Sequence, residues 1–254
     1  MPKSLIVANW KMNPKTGEEA QELFQTVAEG VSEVDGAEVV ICPPFIYLGQ
    51  LSPYGGSPEG RKTKNYPSTK LRAGKLQTGA QNCFWEGGGA FTGEVSASML
   101  KNLGCSHVIL GHSERKNYLG ETFEMVNKKI KAALAADLIP VVCIGEEIEK
   151  EVGALFHNIE HWKLKIENLV LVYEPEWAIS TAKNAKADSP EHVKDAIGRI
   201  KTIAGSDIPV LYGGSTNSKN IRDFIENGAQ GALVGSASLD EKEFVQLVRN
   251  AAMV

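Results

Sequence analysis

The sequence predicts an α/β fold: a (β/α)8 barrel, with eight parallel strands closed on themselves inside a ring of outer helices. Three observations predict it. Eight short runs rich in β-branched residues alternate with helical patterns along the 254 residues, and strict βα alternation builds a parallel sheet. Several runs are apolar on consecutive positions, the pattern of strands buried on both faces. Four runs stop abruptly in polar residues: Ala8-Asn9-Trp10-Lys11, Ile109-Leu110-Gly111-His112-Ser113-Glu114-Arg115, Val172-Tyr173-Glu174-Pro175-Glu176-Trp177 and Leu211-Tyr212-Gly213-Gly214-Ser215. In a closed parallel barrel every strand C-terminus opens on one face, where the chemistry of such barrels sits.

In chain order, the predicted strands cover residues 5–8, 38–42, 76–81, 107–111, 139–144, 169–173, 208–212 and 231–234. The predicted helices cover 18–29, 95–103, 122–136, 146–166, 190–204, 218–226 and 241–251. Ser189 can cap a helix that has Pro190 at its first position, and Gly228 follows Glu226 as a stop. The second βα unit is irregular. Residues 49–75 are rich in Gly, Pro, Ser and basic side chains, and Arg61, Lys62, Lys64, Lys70, Arg72 and Lys75 have almost no acidic counterweight. That composition predicts a long solvated loop. No shift in composition marks a boundary, so residues 1–254 are expected to form a single barrel domain.

Hydrophobic residues make up 43 % of the chain, enough for a sizeable core, and the formal net charge is −4. That charge argues against a nucleic-acid partner or a membrane surface. No apolar run approaches the length of a membrane span, and Met1-Pro2-Lys3-Ser4 leads into the first strand without a signal-peptide pattern. Cys42, Cys83, Cys105 and Cys143 lie far apart and form no Cys-x-x-Cys pair. They are expected to be reduced thiols of a cytoplasmic protein.

A cation, an imidazole, a carboxylate and backbone donors on one face suit proton transfer on a small anionic carbonyl compound. Glu174 ends the sixth strand and can reach into the barrel mouth, where partial burial is expected to raise its basicity. His112 precedes a Ser-Glu-Arg helix start; a helix N-terminus disfavours imidazolium, so His112 is expected to act as a neutral donor. Lys11 supplies a fixed positive charge and Asn9 a neutral donor. Most lysines sit in solvated positions, but Trp10 and Met12 around Lys11 predict a packed segment. Gly214-Ser215 and Gly235-Ser236 follow the seventh and eighth strands, where barrels commonly bind phosphate through backbone N–H groups. Each feature taken alone also suits a plainer role: a helix cap for Glu174, a core or capping position for His112, turn chemistry for the Gly pairs.

These segments resemble the signature regions of triosephosphate isomerases. So do Gly79-Ala80-Gln81-Asn82-Cys83, Gly89-Ala90-Phe91-Thr92-Gly93-Glu94, Cys143-Ile144-Gly145-Glu146 and Ala232-Leu233-Val234-Gly235-Ser236-Ala237-Ser238-Leu239, all in that family's order between residues 6 and 239. The resemblance implies interconversion of dihydroxyacetone phosphate and glyceraldehyde 3-phosphate with no metal or organic cofactor. It implies Glu174 as base, His112 as electrophile, and Lys11 and Asn9 as electrostatic partners; this family is the standing illustration of a neutral His beside a Glu base. Phosphate would be held by the backbones of Ser215, Gly235 and Ser236, and by Ser180 from the sixth loop. Glu114 would be a supporting carboxylate near Lys11 and His112. Glu146 would brace Trp177, and Tyr212 would hold the sixth loop, when that loop closes. The 89–94 segment resembles the family's dimer arm, with Thr92 reaching toward the neighbouring subunit and Gln81 in the same region, so a homodimer is implied.

The sixth loop departs from the family. Where relatives read Ala-Ile-Gly-Thr-Gly-Lys, this chain reads Ala178-Ile179-Ser180-Thr181-Ala182-Lys183. Losing both glycines narrows the backbone's range, so slower or less complete closure is expected. Ser236 stands where relatives usually carry a second Gly. Three alternatives compete. The barrel could be a catalytically weak or binding-only sugar-phosphate protein. It could be another phosphosugar isomerase or epimerase, which fold alone does not separate. The run His157-Asn158-Ile159-Glu160-His161 matches a zinc-protease pattern, although no third ligand follows it.

Overall fold

The computed structural model describes residues 3–51, 76–159, 168–179 and 188–254. Among them, eight parallel strands close into a barrel in chain order: β1 (Ser4–Asn9), β2 (Ala37–Cys42), β3 (Leu76–Ala80), β4 (His107–Leu110), β5 (Ile139–Ile144), β6 (Val170–Tyr173), β7 (Val210–Tyr212) and β8 (Gly231–Val234). The barrel shuts where β1 pairs with β8, from Leu5↔Gly231 to Ala8↔Val234. Around it lie α1 (Gly17–Val31), α2 (Phe45–Leu51), α3 (Ala97–Asn102), α4 (Ser113–Leu119), α5 (Phe123–Ala135), α6 (Ile148–Ile159), α7 (Pro190–Ala204), α8 (Ile221–Glu226) and α9 (Glu241–Ala251). No helix among the described residues is long and apolar enough to cross a membrane.

The two-residue period of a strand decides what faces inward. Val7, Cys42, Ile109, Val141, Cys143, Val172, Leu211 and Leu233 pack together inside the barrel. Their strand neighbours pack outward against the helices, Ile6 and Ala8 on one side and Leu110, Val142, Leu171 and Tyr173 on the other. Both sides are therefore buried, which is why these strands read as continuous apolar runs. The same parity puts Asn9, Glu174, Gly213 and Gly235 on the inward side at the strand ends. The site thus begins as a consequence of register.

Local chemistry sets the helix starts. Thr16 caps α1 in a reciprocal box with Glu19, Thr122 caps α5, Ser189 caps α7 ahead of Pro190, and Asp240 caps α9. The α9 stripe of Phe244, Leu247, Val248 and Ala251 packs with Phe24, Val27 and Val31 of α1. Each large apolar side chain so buried contributes roughly 1.5–3 kcal/mol.

Several boundaries differ from expectation. Strand β7 begins at Val210, because Pro209 has no N–H for the ladder. Helix α8 begins at Ile221 and not at 218, because the Asn217 side chain accepts from the N–H groups of Lys219 and Asn220 at 2.9 and 3.2 Å. Such side-chain turns compete with helix. Helix α6 starts at Ile148 and is described to Ile159; residues 160–166 lie outside the described residues. Helix α2, not expected from the sequence, runs into the start of the 49–75 segment, and the rest of that segment, 52–75, is outside the described residues.

Candidate active site

A cleft of about 250 Å³ opens at the C-terminal ends of the strands. Asn9, Lys11, His112 and Glu174 line one part of it, and Ser215, Gly235 and Ser236 line another. The chain's topology thus gathers side chains from β1, β4, β6, β7 and β8, as far as 227 residues apart in sequence (Asn9 to Ser236). Ser180 and the remainder of the sixth-loop tip, 181–183, lie outside the described residues, as do the side chains of the His157–His161 motif.

Lys11 is held by its surroundings in a left-handed conformation, φ 54°, which a non-glycine residue adopts only with support. Its N–H donates to Asn9 Oδ1 at 3.0 Å, and Gln81 Nε2 donates to its carbonyl at 2.8 Å and to that of Cys42 at 2.9 Å. Gln81 therefore braces the Lys11 backbone within this subunit. Lys11 Nζ pairs with Glu114 Oε1 at 2.6 Å. The expectation of a packed segment holds for Trp10, which is fully buried, and fails for Met12, which is 92 % exposed. The turn at Lys11 throws Met12 outward.

His112 caps α4. Its Nδ1 accepts from the Glu114 N–H at 3.2 Å, so that nitrogen carries no proton, and Nε2–H is left to donate to Glu174 Oε1 at 2.9 Å. Gly111 makes this possible. Its φ of 67° breaks the strand alternation, and a side chain there would meet Val126 and the Cys143 carbonyl at 3.3 and 3.4 Å.

Glu174 is only 3 % exposed. Its Oε2 accepts from the Ser113 N–H at 3.3 Å while Oε1 faces His112. Burial pushes its carboxyl pKa up. Electrostatic attraction to the His112 ring and its hydrogen bond, the Ser113 N–H and the Cys143 thiol pull it down, and the result lies below the ordinary carboxylate range. The expected rise in basicity is therefore corrected: donors to the charged form outweigh desolvation. In this pose both oxygens are engaged, so accepting a carbon-bound proton requires the carboxylate to leave Ser113. Gly213 leaves it space, since a Cβ at that position would stand 3.1 Å from Glu174 Cβ and 2.6 Å from Val172 Cγ1.

At the other end, the Ser215 N–H, expected to face an anion, donates instead to the Ala178 carbonyl at 2.7 Å, as does its hydroxyl at 2.7 Å. Gly235 and Ser236 open a 3₁₀ turn, Ser236–Leu239, that is tied by Ser238 N–H and Oγ donating to the Gly235 carbonyl at 2.9 and 2.7 Å. Glu146 is exposed. Trp177, 43 % exposed, lies with its ring centroid 6.2 Å from that of His192. Tyr212 Oη accepts from the Asp188 N–H at 3.1 Å, at the far root of the sixth loop. Thr92 sits in a stretch, 86–94, exposed at every residue.

Sequence reasoning missed three parts of the site. Thr216 and Asn217 line the cleft beyond Ser215, and their place after Gly-Gly-Ser was the available signal. The Ser113 backbone donor shows no side-chain signature at all. A buried charge cluster, in which Lys129 Nζ donates to Asn82 Oδ1 at 2.8 Å and pairs closely with Glu121, supports the base of α4 and α5. Lys129 lies on an amphipathic helix and Asn82 and Glu121 lie in loops, positions where charged and polar residues normally mean solvent.

The family model for triosephosphate isomerase matches residues 4–251. The chain is 40 % identical to a triosephosphate isomerase of Dehalococcoides mccartyi, over 100 % of this chain and 98 % of the relative. It is 39 % identical to one of Dictyoglomus thermophilum, over 98 % of this chain and 100 % of the relative. The crystal structure of triosephosphate isomerase from Bartonella henselae superposes with a TM-score of 0.75 at 30 % identity and covers 98 % of both chains. Sequence, barrel and cleft agree, and the chain belongs to the triosephosphate isomerase family.

Proposed function

We infer that this protein interconverts dihydroxyacetone phosphate and glyceraldehyde 3-phosphate by moving one proton between adjacent carbons. Glu174 takes the proton from the carbon beside the carbonyl, leaving an enediolate, and returns it one carbon over. The Nε2–H of His112 donates to the substrate oxygens as they gain charge, and the Lys11 ammonium lowers the energy of that charge. Asn9 sets the Lys11 backbone and adds a neutral donor. Backbone N–H groups of Ser215, Gly235 and Ser236, joined by Ser180, hold the phosphate. For Ser215 this requires releasing the Ala178 carbonyl.

The observation that carries this reading is the His112 Nε2–Glu174 Oε1 contact of 2.9 Å in the same cleft as Lys11. It sets a donor and a base side by side on the cleft, where a small ligand can reach both once the carboxylate swings away from His112. A binding-only barrel has no use for a buried base, and the family membership does not favour that reading. A homodimer is supported by the exposed 86–94 arm with Phe91, 43 % exposed, and by Met12 beside the site. A cytoplasmic location fits four buried free thiols, of which burial pushes Cys83 up to about 12 and Cys105 up to about 11. Thiols so placed are unreactive.

The test is a coupled assay of glyceraldehyde 3-phosphate isomerisation on protein treated with chelator. Robust turnover is expected. A folded protein that binds phosphoglycolate and does not turn over would contradict the reading.

A further inference from the structure

Lys116 and Glu151 form an ion pair that the proposed reaction does not use. Lys116 Nζ stands 3.0 Å from Glu151 Oε2, with the two side chains 17 % and 8 % exposed. The same Glu151 oxygen accepts from the Gly145 N–H at 3.0 Å. Gly145 directly follows β5, whose last residue, Ile144, accepts the Glu174 N–H at 2.7 Å. On the other side, Lys116 lies one helical turn beyond His112, and its own N–H donates to the His112 carbonyl at 3.2 Å. The contact of 2.9 Å between His112 Nε2 and Glu174 Oε1 closes the circuit. The circuit runs from His112 through the first turn of α4 to Lys116, Glu151, Gly145, Ile144, Glu174 and back to His112.

We propose that Glu151 is a positioning residue that sets the spacing of His112 and Glu174 by clamping α4 to the end of β5. This proposal rests on the isomerase reading above. The two reacting side chains sit beyond strands that are not neighbours, β4 and β6, with β5 between them. The β4–β5 ladder ends at Leu110↔Val142, two residues short of His112. Backbone pairing therefore stops before the site, and a side-chain clasp spans the remaining distance. A buried carboxylate persists where it has a charge partner and a hydrogen-bond donor, and Lys116 and Gly145 supply them. Gly145 fits the clasp for a second reason: a Cβ there would stand 2.7 Å from Glu151 Oε1.

The test is steady-state kinetics of wild type, Glu151→Ala, Glu151→Gln and Gly145→Ala, each assayed well below its Tm. In Glu151→Ala, kcat is expected to fall about tenfold or more, since small misplacement of reacting groups is costly. KM should stay near the wild-type value, because the phosphate end is built on β7 and β8. Glu151→Gln keeps an acceptor for Gly145 and should recover most of the loss. Gly145→Ala displaces the carboxylate with both charges in place and should reproduce the loss. Wild-type kcat in Glu151→Ala with only a lowered Tm would overturn the proposal, as would a raised KM at unchanged kcat. If Glu151→Ala does not fold, wild-type kcat in Gly145→Ala overturns it. An inactive wild type would overturn the isomerase reading as well, whereas an active wild type with equally active variants overturns only the clamp.

Discussion

Glu174 owes its state to its donors more than to its burial. A carboxylate at 3 % exposure would ordinarily hold its proton to higher pH, yet His112 and the Ser113 N–H keep this one charged. The resting pose therefore stores a ready anion, and each donor given up makes it a stronger base. Its freedom to move depends on Gly213. In Gly213→Ala the new methyl would press on Val172 Cγ1 at 2.6 Å and approach Glu174 Cβ at 3.1 Å. Overpacking of this kind costs about 1–3 kcal/mol, and a displaced base costs rate, so lower Tm and a kcat reduced about tenfold are expected. Both are measurable on one preparation, and an unchanged kcat would show that this contact does not place Glu174. The side chains proposed to react were legible as candidates in the sequence because each is a polar residue that interrupts an apolar run. The Ser113 N–H and the Gly213 contact were not, because backbone donors and close approaches show no composition signal.

At the scale of elements, the strands were the most legible part. Burial on both faces writes a continuous apolar run, and such runs, bounded by turn residues, are too short to be helices. Cap residues fixed a helix start almost as well, as at Ser189. The failures were local. Helix α2 is only seven residues long, follows Pro43-Pro44 and contains Gly49, so it shows too few turns for a period to emerge. The three residues before α8 read as helical until the Asn217 side chain captures the N–H groups of Lys219 and Asn220 and Glu243 takes that of Ser218. Helix α4 has the opposite character. It is short, with one buried side chain, Ser113, and it is held by ion pairs instead of an apolar stripe: Arg115 with Glu121 at 3.3 Å and Lys116 with Glu151 at 3.0 Å. An element that carries His112 is thus fixed by charge.

The whole molecule is coupled to pH through a residue far from the chemistry. His107 opens β4, is 2 % exposed, and touches Ser106 Oγ at 2.8 Å through Nδ1. Burial lowers its pKa from 6.5 to about 4. Between those values the unfolded chain binds a proton that the native state refuses. Stability is therefore fully present above the unfolded value and is lost as pH falls toward the folded one. The cost at the acid limit is about 3 kcal/mol. Denaturant midpoints measured across this window should fall with pH in wild type and fall less steeply in His107→Gln. Parallel slopes would mean that His107 does not set the dependence. Closure of the barrel followed from counting eight βα units. The proposed homodimer rests on the family resemblance and not on composition, since the 86–94 arm is apolar only at Ala90 and Phe91.

The proton transfer itself is best probed by the kcat of Glu174→Asp against wild type. Shortening the side chain by one methylene keeps the charge and leaves the fold to the same core, but withdraws the carboxylate from the carbon it must reach. Turnover should fall about a hundredfold, with Tm and phosphoglycolate binding close to wild type. A wild-type kcat in that variant would mean that Glu174 is not the base.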